Sequence, residues 1–207
     1  MPMILFKAFS ALLSYPTADM RAALNEIAGA VEASPLISTG EKRELGALVR
    51  ELGEGDLLTV ESRYVDLFDR GRSLSLHLFE HLHGESRDRG AAMVELKNLY
   101  EAAGFELIGH ELPDYLPVVL EYLSCRDLKE ARDMLADCAH ILAAITRSLI
   151  ARQSRYAAVL QALLVIAGEK PVNAAEIKPV KEHPAALDRD WAEQPAFAEP
   201  AGDRPKL

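Results

Sequence analysis

The chain has 207 residues, 49% of them hydrophobic and 27% charged. That is length for one domain with a tail, and too apolar a composition for a wholly disordered chain. Its 23 Lys and Arg against 32 Asp and Glu give a net charge of −9, which argues against nucleic acid or an anionic membrane as the main partner, since both select basic surface. Cys125 and Cys138 are the only cysteines; they make neither a disulfide framework nor a zinc-type spacing, and two free thiols suit a reducing cytoplasm.

Helical spacing runs through most of the chain. Leu5, Phe9 and Leu12 mark a first helix closed by Pro16, and the absence of a basic leader before it argues against a signal peptide. Thr17 caps a second helix whose face is Met20, Leu24, Ile27 and Val31. Ser38 and Glu41 have capping-box spacing for a third, with Leu45, Leu48, Val49 and Leu52 inward and Gly53 as its stop. Leu57, Val60, Tyr64 and Phe68 define a fourth helix, and Met93, Leu96, Tyr100 and Ala103 another that ends at Gly104. From Leu128 to Leu149 apolar residues recur without a break at spacings of three and four, which predicts one central helix about 35 Å long. Tyr156, Val159, Leu160, Leu163 and Ala167 form the last helix, closed by Gly168 and too short for the roughly 20 residues that a bilayer needs.

Two segments depart from this pattern. Between Asp69 and Glu85, Leu74, Leu76 and Leu78 alternate with Ser73, Ser75 and His77. With no partner strand elsewhere, the expectation is a long ordered loop, a feature that usually carries function. After Gly168, six prolines, mixed charges and many alanines leave no periodicity, so residues 169–207 read as a disordered tail with Trp191 and Phe197 as its sticky points. The tail holds six basic and eight acidic residues, which leaves −7 on the body. The predicted fold is all-α: a single-domain helical bundle over 1–168 with one long ordered loop and a disordered C-terminal tail.

One enzyme-like pattern is present. His77, Glu80 and His81 match H-x-x-E-H, which on a helix places two imidazoles on one face for zinc and a carboxylate to activate water. The flanking alternation does not announce a helix, and no third ligand is marked; His83, His110, His140 and His183 are scattered, with His140 read as a surface residue. Arg70, Arg72, Arg87 and Arg89 bracket the loop and are read as surface ion pairs with Asp66, Asp69, Glu85 and Asp88 rather than an anion site. In the stretch from His110 to Pro117, Asp114 is read as the N-cap of a helix carrying Val118, Val119, Tyr122 and Leu123. Its carboxylate would accept from the Leu116 N–H, with Pro117 harmless in the first turn. Glu111, Asp114 and Glu121 together place negative charge at the mouth of a groove.

Three blocks, Tyr64–Phe68 (YVDLF), Ser75–Gly84 (SLHLFEHLHG) and Glu111–Leu123 (ELPDYLPVVLEYL), stand in an order and separation that resemble the NarJ branch of the TorD/DmsD redox-enzyme maturation chaperones. The likeness runs from Leu5 to about Gly168. Tyr115 follows the Pro-Asp pair where the TorD and DmsD branches usually carry His, which favours the nitrate reductase branch. The resemblance implies an all-helical cytoplasmic protein with no catalytic activity and no cofactor of its own. As partner it implies the apo catalytic subunit of respiratory nitrate reductase, bound through its N-terminal peptide until molybdenum cofactor and iron–sulfur insertion is complete and before membrane docking. Molybdenum cofactor delivery proteins are further candidate partners; nucleic acid and direct membrane insertion are not expected. The positions that match the family blocks are Tyr64 and Phe68, then Phe79 and His81, then Glu111, Pro113, Asp114, Tyr115 and Glu121.

The physical reading is compatible. An acidic helical body attracts a basic amphipathic peptide, and Tyr64, Phe68, Tyr115 and Tyr122 are candidate groove anchors. Three alternatives stay open at this point: a zinc-dependent hydrolase using His77, Glu80 and His81, a chaperone for another molybdoenzyme, and a helical adaptor that binds through the Trp191 tail.

Overall fold

The computed structural model describes residues 3–83, 87–107 and 111–180. Among these residues it contains eleven α-helices, two 3-10 turns and no strand. The helices are α1 (Ile4–Leu13), α2 (Ala18–Ala22), α3 (Leu24–Ala33), α4 (Thr39–Gly53), α5 (Leu57–Phe68), α6 (Leu78–His83), α7 (Arg87–Ala102), α8 (Leu116–Ser124), α9 (Leu128–Asp137), α10 (Ala139–Ala151) and α11 (Ala157–Ile166).

The core is built on α1 and α8, which pack closely together, and on the α10–α11 pair, with α3 and α4 closing one flank. On α1, Leu5, Phe6, Phe9, Leu12 and Leu13 are fully buried, each contributing roughly 2 kcal/mol by leaving water. Ser10 on the same helix donates its Oγ–H to the Pro117 carbonyl over 2.8 Å and so ties α1 to the first turn of α8. The capping box forms as its spacing predicts: Ser38 Oγ accepts from the Glu41 N–H, and Glu41 Oε2 accepts from the Ser38 N–H. Gly104 and Gly168 stop their helices at φ +73° and +88°, a backbone region that favours glycine. Gly53 instead remains inside α4, and the left-handed turn falls at Gly55.

Three expectations need correction. The predicted helix from Leu128 to Leu149 is two helices, bent by 69° around Cys138. The apolar stripe runs through because one residue in a turn conformation (φ −100°, ψ 8°) changes the axis without changing the order of buried positions: Ala131 and Leu135 before it, Ile141, Leu142, Ile145 and Leu149 after it. The second predicted helix divides likewise at Ala23, with Met20, Leu24, Ile27 and Val31 all still buried. The Asp69–Glu85 loop is mostly helical turn, with a 3-10 turn at Arg72–Leu74 followed by α6. Its leucine alternation reported burial truly, since Leu74, Leu76 and Leu78 are all buried, but only His77 is paired in extended fashion, with Tyr115.

Residues 169–180 lie against the body. Gln161 clamps Val172 by accepting from its N–H and donating to its carbonyl, and the Val180 N–H reaches the Ala151 carbonyl. Residues 181–207, with His183, Trp191 and Phe197, lie outside the described residues, as do Gly84, Glu85 and His110. No single described helix is long and apolar enough to cross a membrane.

Candidate functional site

Two turns distant in sequence are locked together, and Asp114 is the lock. His77 and Tyr115 form one antiparallel bridge, in which the Leu78 N–H donates to the Asp114 carbonyl and the Leu116 N–H donates to the Leu76 carbonyl. The Asp114 side chain is fully buried. One of its oxygens accepts from the Phe79 backbone N–H at 3.0 Å, and the other sits 3.3 Å from His77 Nδ1. The N-cap expectation for Asp114 is therefore corrected: it satisfies an open first-turn donor, but of α6, not of its own helix. The Leu116 N–H is already taken by Leu76, and Tyr115 stands at the head of α8 without a side-chain cap. Pro117 is harmless in that first turn, as expected.

The bond to Asp114 raises the His77 pKa above its ordinary 6.5, against the opposing effect of partial burial. The His77 ring lies over Tyr115, with centroids 5.1 Å apart. Tyr115 and Tyr64 join hydroxyl to hydroxyl at 3.0 Å, and Tyr64 donates to the Leu13 carbonyl at the end of α1. Burial pushes up the phenol pKa of both, so both stay neutral at physiological pH.

Around Tyr115 two cavities adjoin, sharing Tyr15, Glu111 and Tyr115. A groove of about 520 Å3 is lined also by Phe105, Glu106, Leu107, Val118 and Glu121. A smaller pocket of about 220 Å3 continues from it to Tyr64, Phe68, Asp69 and His77. Among the described lining residues the carboxylates are Asp69, Glu106, Glu111 and Glu121, and none is Lys or Arg.

Of the positions named from sequence, Tyr64, Phe68, Glu111, Tyr115 and Glu121 line these cavities. Phe79, His81, Pro113 and Asp114 are not lining residues and take part instead in the hydrogen bonds of the turns nearby. His81 Nε2–H donates to the Ser75 carbonyl, and the Pro113 carbonyl accepts from Tyr100. Tyr122 does not line them. It is buried behind Phe105, ring centroids 5.8 Å apart, and donates to Glu130. Sequence reasoning missed Tyr15, Phe105 and Asp69; the one available signal was Tyr15, an aromatic stranded between the apolar run of α1 and Pro16.

The H-x-x-E-H residues are otherwise engaged. His77 pairs with Asp114, His81 with a carbonyl, and Glu80 with Arg89 at 3.2 Å. No group of three or more described His, Cys, Asp or Glu side chains is placed to hold a metal ion. The arginine reading is met at Arg70, which pairs with Asp66, while the partner of Arg89 is Glu80 rather than a neighbouring aspartate. His140 is exposed, as expected.

The fold resembles a crystal structure of a candidate redox enzyme maturation protein from Archaeoglobus fulgidus, with TM-score 0.56 and 22% identity over 79% of this chain and 91% of that one. That likeness defines the class of fold, an all-helical body shared with that protein. Sequence narrows it further. Residues 17–161 match the profile of the nitrate reductase delta subunit family. The chain is 42% identical to the nitrate reductase molybdenum cofactor assembly chaperone NarJ of Escherichia coli (strain K12), over 89% of this chain and 80% of that protein. It is 30% identical to a probable NarJ of Bacillus subtilis (strain 168), over 78% of this chain and 86% of that one. The chain belongs to the nitrate reductase delta subunit family. Within it this is a NarJ-type assembly chaperone and not an enzyme, and the hydrolase reading of His77, Glu80 and His81 falls away.

Proposed function

We propose that this chaperone works in the cytoplasm on a respiratory nitrate reductase, binding the N-terminal segment of its apo catalytic subunit. The segment occupies the groove around Tyr115 and is held there while the molybdenum cofactor and iron–sulfur clusters are inserted, before the subunit docks at the membrane. The observation that carries the reading is the lining of the groove: aromatic and aliphatic walls with four carboxylates and no described Lys or Arg. A basic amphipathic helix is complementary to such a surface, laying its apolar face on Phe105, Leu107, Tyr115 and Val118 and its cations on the rim. The relatives named as NarJ support the choice of nitrate reductase.

The test is a calorimetric titration of the full chain with a synthetic N-terminal peptide of the catalytic subunit. Low-micromolar or tighter binding is expected, weaker as salt rises from about 50 to about 500 mM because rim charges are screened. A leader peptide from a different molybdoenzyme serves as the competitor. No binding at low salt, or preference for the competitor, rejects the reading.

A further inference from the structure

The strap after α11 builds a third cavity. Gln161 holds Val172, and the Val180 N–H is tied to the Ala151 carbonyl at 2.9 Å, so residues 169–180 run back from the end of α11 to the end of α10. On the way they supply Pro171 and Ala174 as one wall of a cavity of about 780 Å3, whose other walls are α4 and the start of α11. It shares no lining residue with the two cavities around Tyr115. Its charged rim is matched internally: Arg43 pairs with Glu44 at 3.0 Å, Arg155 pairs with Glu51 at 2.9 Å, and Glu41 is held in the capping box. What remains for an occupant is a floor of small apolar side chains, Ala157, Ala158, Pro171 and Ala174, beside Ile150. Such a floor selects an apolar group rather than an ion.

Where the described chain ends points to the occupant. Ala151, the partner of Val180, adjoins the lining residue Ile150 in sequence, so residues 181–207 start at the rim of this cavity. Trp191, the only tryptophan of the chain, stands eleven residues beyond Val180, a length that reaches up to roughly 35 Å and leaves slack for a return. The rim also carries a non-glycine residue in the left-handed region. Gln153 turns the chain from α10 to α11 at φ 56°, where glycine would be free of strain, and it lines the cavity. We propose that the C-terminal segment of this same chain folds back into the cavity, with Trp191 anchored on Ala158 and Ala174 and the Gln153 amide bonded to the main chain of the segment. The docked segment closes the α4–α11 face to other chains. Tethering makes the contact intramolecular, at an effective concentration in the millimolar range, so a weak interface is enough.

As the sole tryptophan, Trp191 reports its own surroundings in the full chain by fluorescence. Its emission should lie to the blue of N-acetyl-tryptophan amide, and acrylamide should quench it several-fold more slowly, equally at low and high protein concentration. Two variants connect that signal to the cavity. Ala158→Gln fills the space from α11 and should bring both readings to those of the free fluorophore. Gln153→Gly relieves the left-handed turn, so it should fold at least as well as the parent while giving up part of the protection. Far-UV circular dichroism and the urea midpoint check that each variant is folded; if Ala158→Gln is not, Gln153→Gly decides alone. Emission and quenching equal to the free fluorophore in the parent, or protection that survives in both folded variants, overturns the proposal. So does protection that fades on dilution, which would put the tail on a second copy. Protection lost on adding the nitrate reductase peptide would put Trp191 in the groove around Tyr115 and overturn it too.

Discussion

Two tyrosine clusters meet at the turn before α8, built alike but finished differently. In one, Tyr100 donates to the Pro113 carbonyl, Tyr122 lies 4.6 Å from its ring, and Phe105 stands edge-on to both. In the other, Tyr64 donates to the Leu13 carbonyl and binds Tyr115, with Tyr15 at the rim and Phe68 and Tyr156 behind. Each anchors a phenol on a buried backbone carbonyl. Access separates them: Tyr100 and Tyr122 are 0% and 1% exposed, while Tyr15 is 44% exposed. The sealed Tyr100–Tyr122 pair serves stability, with Phe105 as its one face toward the groove, and the open cluster offers rings to a ligand.

Asp114 supports both clusters, so its removal is the largest expected effect. Asp114→Ala leaves the Phe79 N–H and His77 without their acceptor and detaches α6, at a cost of about 3–5 kcal/mol in urea unfolding, as for other broken buried pairs. Asp114→Asn keeps an acceptor for Phe79 and should cost less. Equal losses from the two variants would show that charge, not the acceptor, makes the link. Next in size, Tyr100→Phe leaves the Pro113 carbonyl unpaired and should cost about 1–2 kcal/mol of stability with unchanged peptide affinity. In the open cluster the pattern reverses. Tyr115→Ala should weaken peptide binding about tenfold with a smaller loss of stability, and Tyr115→Phe should bind nearly as the parent. If Tyr100→Phe also loses affinity, the division between the clusters does not hold.

The two clusters were unequally legible in the sequence. Helical periodicity identified most buried positions, including Val60, Tyr64, Phe68 and Tyr100, because burial needs only local spacing. It could not show the bend at Cys138 or the helical state of Leu78–His83, since one turn residue preserves an apolar stripe and a six-residue helix is too short to establish a period. The family blocks put Tyr64, Phe68, Glu111, Tyr115 and Glu121 into the site. Asp69 and Phe105 could not be read, since an acidic residue after a helix and an aromatic after Gly104 become groove walls only when distant turns close on them. The reach of Asp114 across 35 residues to Phe79 was hidden for the same reason, since local spacing offers an N-cap first.

The smallest expected effect lies where the clusters touch, at His77. The fold raises its pKa through Asp114, so the folded state binds this proton more tightly than the unfolded chain. That contribution to stability is fully present below the unfolded value near 6.5 and is lost as pH rises through the higher folded value. Melting temperature should therefore carry a component that declines from about pH 6.5 upward, small because the imidazole is partly exposed and screened. His77→Gln should remove this component and leave the acid side of the profile unchanged in shape. A profile for the variant that still declines over the same window would assign the titration to another group and leave His77 with only its stacking on Tyr115.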